Sequence, residues 1–385
     1  MNESLESSDV YGRSDFIIPD HVTYFAGNSL GPCLKNIPDT LMTETTQRWG
    51  EGIEQGWKNI GWLDAPQRVG DKLAKLVGVP KGTSIVADST SVNLYKLTCA
   101  ALQAKPERQV VLVEEGIFPT DAYIIQGIQN VQRNLIIKQV SKTEIMQHLD
   151  DTVACLLLSH VDYQTGYVHE MVSINAAAKE VGALTLWDIS HSIGILDLDL
   201  TSCDMAVGCG YKYLNGGPGA PAFMYVNPEL VSVLNNPIWG WFGHSNPFSL
   251  EPEFKGASDT SKFLVGTPTI LSLLALETSV DYLNTLGMHT IEKQAQTLKQ
   301  KFIQGIEPVN GEQIEILGGK ESQAFGSHLV FHALHASDLL DALSKQNIQP
   351  QVLHNDCLRF AFNPLFLNAV DIQKTCKVIN DFYLG

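Results

Sequence analysis

Nowhere in this chain do about eighteen apolar residues run together, the length that a membrane-crossing helix requires. The amino-terminal stretch "MNESLESSDVYGRSD" is polar and acidic, without the apolar core of a secretory leader. The sequence therefore predicts neither a membrane span nor a signal peptide. Basic residues are scarce: 26 Lys and Arg stand against 42 Asp and Glu, a formal charge of −16. Such a field repels nucleic acid and anionic membranes, and neither is an expected partner. Cysteine is sparse too. The seven, at positions 33, 99, 155, 203, 209, 357 and 376, are odd in number and form no CxxC pair. That spacing argues against a zinc site or a disulfide framework, no metal is expected, and the thiols read as the reduced ones of a cytoplasmic protein. Internal repeats, low-complexity stretches and flexible linkers are also missing.

What is present is the composition of a folded globular protein, 44% hydrophobic and 18% charged over 385 residues. That length exceeds what one core usually fills, so a large domain with a smaller satellite is expected. Strand-sized apolar runs recur at 84–87, 110–115, 135–140, 153–159, 184–188, 204–209 and 222–226. They are apolar on both faces, as buried parallel strands are. Helical stretches at 91–102, 120–129 and 173–182 lie between several of them, the last with Ser173 as its expected N-cap and Gly182 as its close. This alternation predicts a doubly wound α/β domain with function at the carboxyl ends of its strands. Beyond residue 265, long helices at 267–287 and 291–306, strands at "SHLVFHAL" and "CLRFAF" and a final helix near 369–383 predict an α+β satellite. The segment around "YFAGNSLGPC" and a helix from Pro38 to Trp49 are expected to pack with it.

The strand ends carry a coherent chemistry. "DSTSVN" 88–93 places hydroxyls and free backbone N–H groups at a helix N-terminus, which suits a phosphate or is simply a helix cap. "GIFPTD" 116–121 puts Phe118 where a ring could cover a planar ligand, or where it serves the core. His160 and Asp162 leave the sheet together in "SHVDYQTG", either into a pocket or into a capped turn. In "WDISHS" 187–192, Asp188 could pair with a protonated ring nitrogen or cap the next helix. In "CGYKYLNGGPGAP" 209–221, Lys212 is an ordinary surface charge if taken alone. At the floor of the same crevice, partial burial could free its amine for a Schiff base. A phosphate seat, a stacking ring, an acid and an amine on one sheet edge match the four parts of pyridoxal phosphate.

Nine ordered blocks resemble the kynureninase family of fold-type-I pyridoxal phosphate hydrolases, over nearly the whole chain. They are "YFAGNSLGP", "DSTSVNLYKL", "FPTD", "HVDYQTGYVHEM", "WDISHSIG", "GCGYKYLNGGPGAPAF", "GWFGH", "GTPTILSLLALE" and "RFAFNPLF". The resemblance implies a mainly parallel seven-stranded sheet between helices. It implies an N-terminal segment over 1–58, a large cofactor domain over 59–262 and a small domain over 263–385. It implies that Lys212 carries the cofactor as a Schiff base and moves the Cα proton, and that Asp188 pairs with the pyridinium nitrogen. Phe118 would stack on the ring, with Pro119, Thr120 and Asp121 of "FPTD" beside it. Thr90, Ser91 and Tyr211 would hold the phosphate region, and Ser159, Asp162 and His191 would line the pocket. Trp241 and Thr267 would reach the cofactor of the other subunit of a homodimer. Arg359 would clamp the substrate α-carboxylate, a surface ion pair being the alternative, with Asn28 and Ser29 nearby. Trp57 and Trp62 would wall the aryl pocket or only pack. Tyr211 is the candidate proton relay.

The implied reaction is hydrolysis of the Cβ–Cγ bond of L-kynurenine to anthranilate and L-alanine, in tryptophan catabolism and the kynurenine route to NAD. The chain departs from the family at Phe325, where arginine is common, and in the stretch "VLHNDCLRF" ahead of Arg359, which puts substrate choice in doubt. Thr267 stands where the branch preferring 3-hydroxykynurenine has asparagine, which favours kynurenine. The rival readings are a cysteine desulfurase-like lyase or an aminotransferase on the same scaffold, and a non-catalytic binding protein that keeps the fold.

Overall fold

The computed structural model of the protein describes residues 12–318, 326–354 and 356–385. Its central sheet is built from β1 (Ser84–Val86), β2 (Val110–Glu114), β3 (Ile136–Val140), β4 (Val153–Ser159), β5 (Leu184–Asp188), β6 (Met205–Gly208) and β7 (Phe223–Val226). The spatial order is β1-β7-β6-β5-β4-β2-β3. Within this sheet β7 runs antiparallel to both its neighbours, β1 and β6, and the pairs from β6 to β3 are parallel. Each strand falls on one of the seven apolar runs expected from the sequence.

The doubled apolar character of those runs has a direct cause. Successive side chains of a strand point to opposite faces. In β4, Leu156 and Leu158 enter one core while Cys155 and Leu157 enter the other, so every residue of the strand is buried. Removing each such side chain from water stabilises the fold by roughly 1.5–3 kcal/mol. β3, at the sheet edge, is exposed or half-buried at four of its positions and reads as a mixed strand.

The crossover helices are Thr90–Ala104, Pro119–Val131 and Met171–Val181. One cap differs from the sequence reading. The last of these helices begins at Met171 with Glu170 in the cap position, and Ser173 lies inside the first turn, its Oγ donating to the Glu170 carbonyl at 2.9 Å. A serine there bonds back to a carbonyl instead of receiving backbone N–H groups. Gly182 does close the helix, at φ 74°. The early helix is α-helical over Ile37–Thr43 and continues as a wider π-type helix over Glu44–Glu51.

The carboxy-terminal part carries a four-stranded antiparallel sheet of β8 (Ile314–Ile316), β9 (His328–Ala333), β10 (Gln351–His354) and β11 (Cys357–Ala361), in the order β8-β9-β11-β10. The helices Met288–Gly305 and Ala369–Leu384 pack against each other beside it. The amino-terminal segment is tied to this region: Thr23 and Tyr24 pair in parallel with Ile348 and Gln349, and Ala361 N donates to the Phe25 carbonyl at 2.8 Å. Among the described residues no helix is long and apolar enough to cross a membrane. Phe325 lies outside the described residues.

Candidate active site

The parallel register sets the site. Ser159 at the end of β4 stands opposite Asp188 at the end of β5, and Asp188 stands opposite Val207 of β6. The chain leaving β6 turns at once into Cys209–Gly210–Tyr211–Lys212, so the lysine is delivered to the edge where Asp188 ends. The turn is closed by its own backbone: Asn215 N donates to the Lys212 carbonyl at 3.0 Å and Gly216 N to the Gly210 carbonyl at 2.9 Å. Side chains would not fit this closure. A Cβ on Gly216 would lie 2.7 Å from the Gly210 oxygen. On the other side, Asp188 Oδ1 accepts the Ser190 N–H at 2.8 Å, and Ser190 Oγ accepts from Cys209 N at 3.1 Å, which locks the two loops together.

Lys212 Nζ lies 3.0 Å from His191 Nε2, 5.8 Å from the centre of the Phe118 ring and 5.9 Å from that of Tyr211. Burial, then the charges of Lys212, Arg359 and His328, hold His191 well below the ordinary imidazole range. Asp121 projects from the first turn of the helix that opens at Pro119, with Phe118 at its cap. Burial first, then the neighbouring carboxylate of Asp188, push its carboxyl well above the usual range, against the pull of Lys212. Two acids and one amine thus share a desolvated space. Burial, with Cys209 and Asp188 adding to it, raises the Tyr211 phenol to about 12, so it stays a hydrogen-bond donor at neutral pH.

Beside them lies the turn after β1. Asp88 there adopts φ 47°, and Ser89 Oγ caps the following helix by accepting from Val92 N at 3.3 Å. Thr90 and Ser91 occupy the first helical turn, both half-buried. Lys96 of the same helix is fully buried and donates to Asp88 and, at 2.7 Å, to the Phe263 carbonyl.

Arg359 extends from β11 toward the same compartment, only 5% exposed. Burial lowers its guanidinium to about 10. Its Nη1 donates to the Tyr163 carbonyl at 2.9 Å and its Nε to Gln351 Oε1 at 3.1 Å. With the Asn28 amide turned to present its oxygen, Oδ1 accepts from Nε at 2.7 Å. Ser29 joins through Gln351 Nε2, 3.3 Å from its Oγ. The structure therefore brings Asn28, Ser29 and Arg359 together, as expected.

The remaining expected residues make local contacts of their own. Asp162 Oδ1 accepts from the backbone N–H groups of Gln164 and Thr165 and from the Thr165 hydroxyl, so one of its oxygens is spent on its own turn. Trp57 and Trp62 meet edge to face at 5.4 Å, Trp57 also touches Phe242, and Trp62 Nε1 donates to Glu44. Trp241 packs on Phe242 and Phe248, and Thr267 lines a cavity of about 170 Å³ with Asp88, Gly219 and Pro221.

Four residues carry no expectation from the sequence. Tyr163 stands edge-on to Phe118 at 5.2 Å, His328 lies 5.4 Å from His191 ring to ring, Gln351 binds Arg359, and Lys96 holds Asp88. Tyr163 and Lys96 sit inside the quoted blocks, whereas Gln351 carries no sequence signal.

The model of the aminotransferase class-V family matches residues 128–377. The kynureninase of Pseudomonas fluorescens is 34% identical over 378 residues, covering 96% of this chain and 91% of that protein. That of Burkholderia pseudomallei strain K96243 is 35% identical over the same spans. Among solved structures, apo cysteine desulfurase from Thermococcus onnurineus NA1 superposes with a TM-score of 0.81 at 17% identity, covering 96% of both chains. A lysine-to-alanine mutant of C-DES, with glycine covalently linked to its pyridoxal phosphate cofactor, gives 0.83 at 17% identity, covering 96% of this chain and 99% of that one. The desulfurase likeness shows a shared fold, and the sequence identity selects the branch: the chain belongs to the pyridoxal phosphate-dependent kynureninase family, within aminotransferase class V.

Proposed function

We propose that the protein hydrolyses L-kynurenine to anthranilate and L-alanine. The observation that carries this reading is the pairing, in one desolvated compartment, of the amine of Lys212 with the buried guanidinium of Arg359, both acting on the same imidazole, His191. An amino acid is the substrate that uses both: its amino end meets the lysine side, and its carboxylate meets the fork.

The residues present fit pyridoxal phosphate. Asp121 Oδ2 and His191 Nδ1 are buried with no hydrogen-bond partner among the described residues. His191 meets Lys212 through its other nitrogen, Nε2, so the site sets unpaired polar atoms beside an amine, as an aromatic aldehyde bearing a protonated ring nitrogen requires. Asp188 and Asp121 would hold that nitrogen, Phe118 would cover the ring, and Thr90, Ser91 and Tyr211 would receive the phosphate. When bound, the cofactor supplies an electron sink that acidifies the substrate Cα–H.

The side chains then divide the work. Lys212 takes the Cα proton and His191 orients its amine. Arg359, with Asn28 and Ser29 behind it, fixes the carboxylate and thereby the Cα–H direction. Tyr211, protonated at neutral pH, donates a hydrogen bond to the substrate ketone oxygen as water adds there. The hydrated ketone then loses an O–H proton as the Cβ–Cγ bond breaks, Cβ takes the bond's electron pair and a proton to become the alanine methyl group, and Lys212 returns the Cα proton. In this reading Trp241 and Thr267 complete the site of a second copy in a homodimer, and Trp57 and Trp62 form its outer wall. Kynurenine is preferred over the 3-hydroxylated substrate.

A desulfurase needs a reactive cysteine free to swing into the site. All seven cysteines here are buried or half-buried, and the two least covered by neighbours, Cys33 and Cys357, lie in strands. That favours hydrolysis over the rival lyase. The test is to mix cofactor-loaded protein with L-kynurenine and follow anthranilate fluorescence. Wild type should release anthranilate and the Lys212→Ala variant none; a loaded wild type that releases none removes the reading.

A further inference from the structure

The hydrogen-bond partners of the Arg359 guanidinium are neutral. Nε and Nη2 both donate to the single Oε1 of Gln351, Nη1 donates to the Tyr163 carbonyl, and Asn28 Oδ1 accepts from Nε at 2.7 Å and Nη2 at 3.3 Å. Among the described residues no carboxylate forms an ion pair with it. A buried arginine is ordinarily matched by an acid, because an uncompensated charge out of water is costly. Here the strand register places an amide where that acid would stand: Gln351 of β10 pairs directly with Arg359 of β11. Its one oxygen occupies the fork that the two oxygens of a carboxylate would take side by side.

We propose that Gln351 determines the affinity of the site for the carboxylate of its amino-acid substrate. It holds the Arg359 fork in position as a neutral partner that the incoming carboxylate displaces, and it leaves the full guanidinium charge for that carboxylate. β10 is an edge strand, flanked on one side only, and Gln351 is half-buried, so its amide can swing aside without unpairing the sheet. An acid at this position would cancel the charge before substrate arrived. This inference rests on the reading of Arg359 as the carboxylate clamp.

The test uses cofactor-loaded protein and two probes. L-alanine is titrated against the cofactor absorbance, and initial rates are taken with L-kynurenine. Gln351→Glu should raise the L-alanine Kd and the KM about tenfold or more, the scale expected when a partly buried cation is neutralised. It should leave kcat within about threefold and the Kd for pyridoxal phosphate unchanged, so the two constants separate affinity from chemistry. Gln351→Met, which takes away the amide's hold on the fork without adding a charge, should weaken both affinities only about threefold to fivefold, clearly less than Gln351→Glu. Overturning results are a Gln351→Glu protein with unaltered Kd, a Gln351→Met protein as weak as Gln351→Glu, a loss confined to kcat, or a wild type blind to L-alanine. If L-alanine binding responds as expected but L-kynurenine is not cleaved, the proposal for Gln351 stands and the assigned reaction falls.

Discussion

Lys212 Nζ lies 3.0 Å from His191 Nε2, and burial together with the nearby cations keeps that imidazole neutral at physiological pH. A neutral ring offers Nε2 as acceptor to the ammonium while Nδ1 carries the hydrogen. The lysine is therefore aimed by a group that does not compete with it for charge. Replacing His191 by Phe keeps a ring and removes the acceptor. We expect kcat to fall about a hundredfold, in the range for a misplaced proton-transfer group, while the midpoint of urea unfolding stays near wild type. An unchanged kcat would show that the lysine needs no such guide.

Asp121 carries the opposite cost. Its carboxyl is pushed well above the ordinary range by burial and by Asp188. A raised folded pKa means that the folded apoprotein holds a proton that the unfolded chain has released. Stability from this group is thus greatest below the unfolded value of about 4, and is lost as pH rises through the folded pKa. Asp121→Asn removes the ionisation without changing shape. The apoprotein of that variant should melt at a higher temperature than wild type near pH 7.5, with the gap closing toward pH 4. Its affinity for pyridoxal phosphate, read from absorbance, should fall, because the second acid facing the ring nitrogen is gone. A variant that melts below wild type at pH 7.5 contradicts the account.

These contrasts also mark what a linear sequence can reveal. Lys212, Asp188, Ser159 and Phe118 were legible because each follows a strand whose two faces are both apolar, and parallel topology sends such strand ends to one edge. Gln351 was not, because its meaning arises from antiparallel register with Arg359, and nothing in "IQPQVLH" announces a buried fork opposite. Lys96 was hidden for a different reason. A lysine in a helix reads as a solvated charge, yet this one is fully buried because its helix packs beneath both Asp88 and Phe263. Ser173 misled in the other direction, since a serine near a helix start can bond back to a carbonyl as readily as it caps.

Gly31 joins the amino-terminal segment to the lysine turn. Its N–H donates to the Tyr211 carbonyl at 2.8 Å. A Cβ there would collide with the Lys212 carbonyl and the Asn215 amide, and would lie 2.8 Å from Asn215 Cα. These obstacles are mainly backbone and cannot rotate away. Gly31→Ala should therefore destabilise by roughly 1–3 kcal/mol, the usual cost of overpacking. It should also shift Asn28 and Ser29 away from Arg359, which raises KM. Urea unfolding and steady-state kinetics on the same preparation check both parts, and a variant with wild-type stability would show that the segment yields.

The ion pair of the buried Lys96 with the partly exposed Asp88 yields the last prediction. Asp88 sits just ahead of the turn proposed to receive a phosphate, where an unpaired carboxylate would repel that group. Lys96 neutralises it and, through the Phe263 carbonyl, ties the turn to the segment that leads to Thr267. Burial lowers the lysine pKa, against the pull of Asp88. Lys96→Met removes the cation and leaves both acceptors unmatched. Breaking a buried pair commonly costs about 3–5 kcal/mol, but the Asp88 side chain is 33% exposed and water recovers part of the loss, so about 2 kcal/mol is expected. The Kd for pyridoxal phosphate should rise about tenfold, the effect of roughly 1.4 kcal/mol of repulsion. Adding Asp88→Asn removes the repelling charge. The double variant should recover most of the cofactor affinity but little of the stability, since the Phe263 carbonyl still lacks its donor. If Asp88→Asn restores neither, Lys96 acts through packing alone.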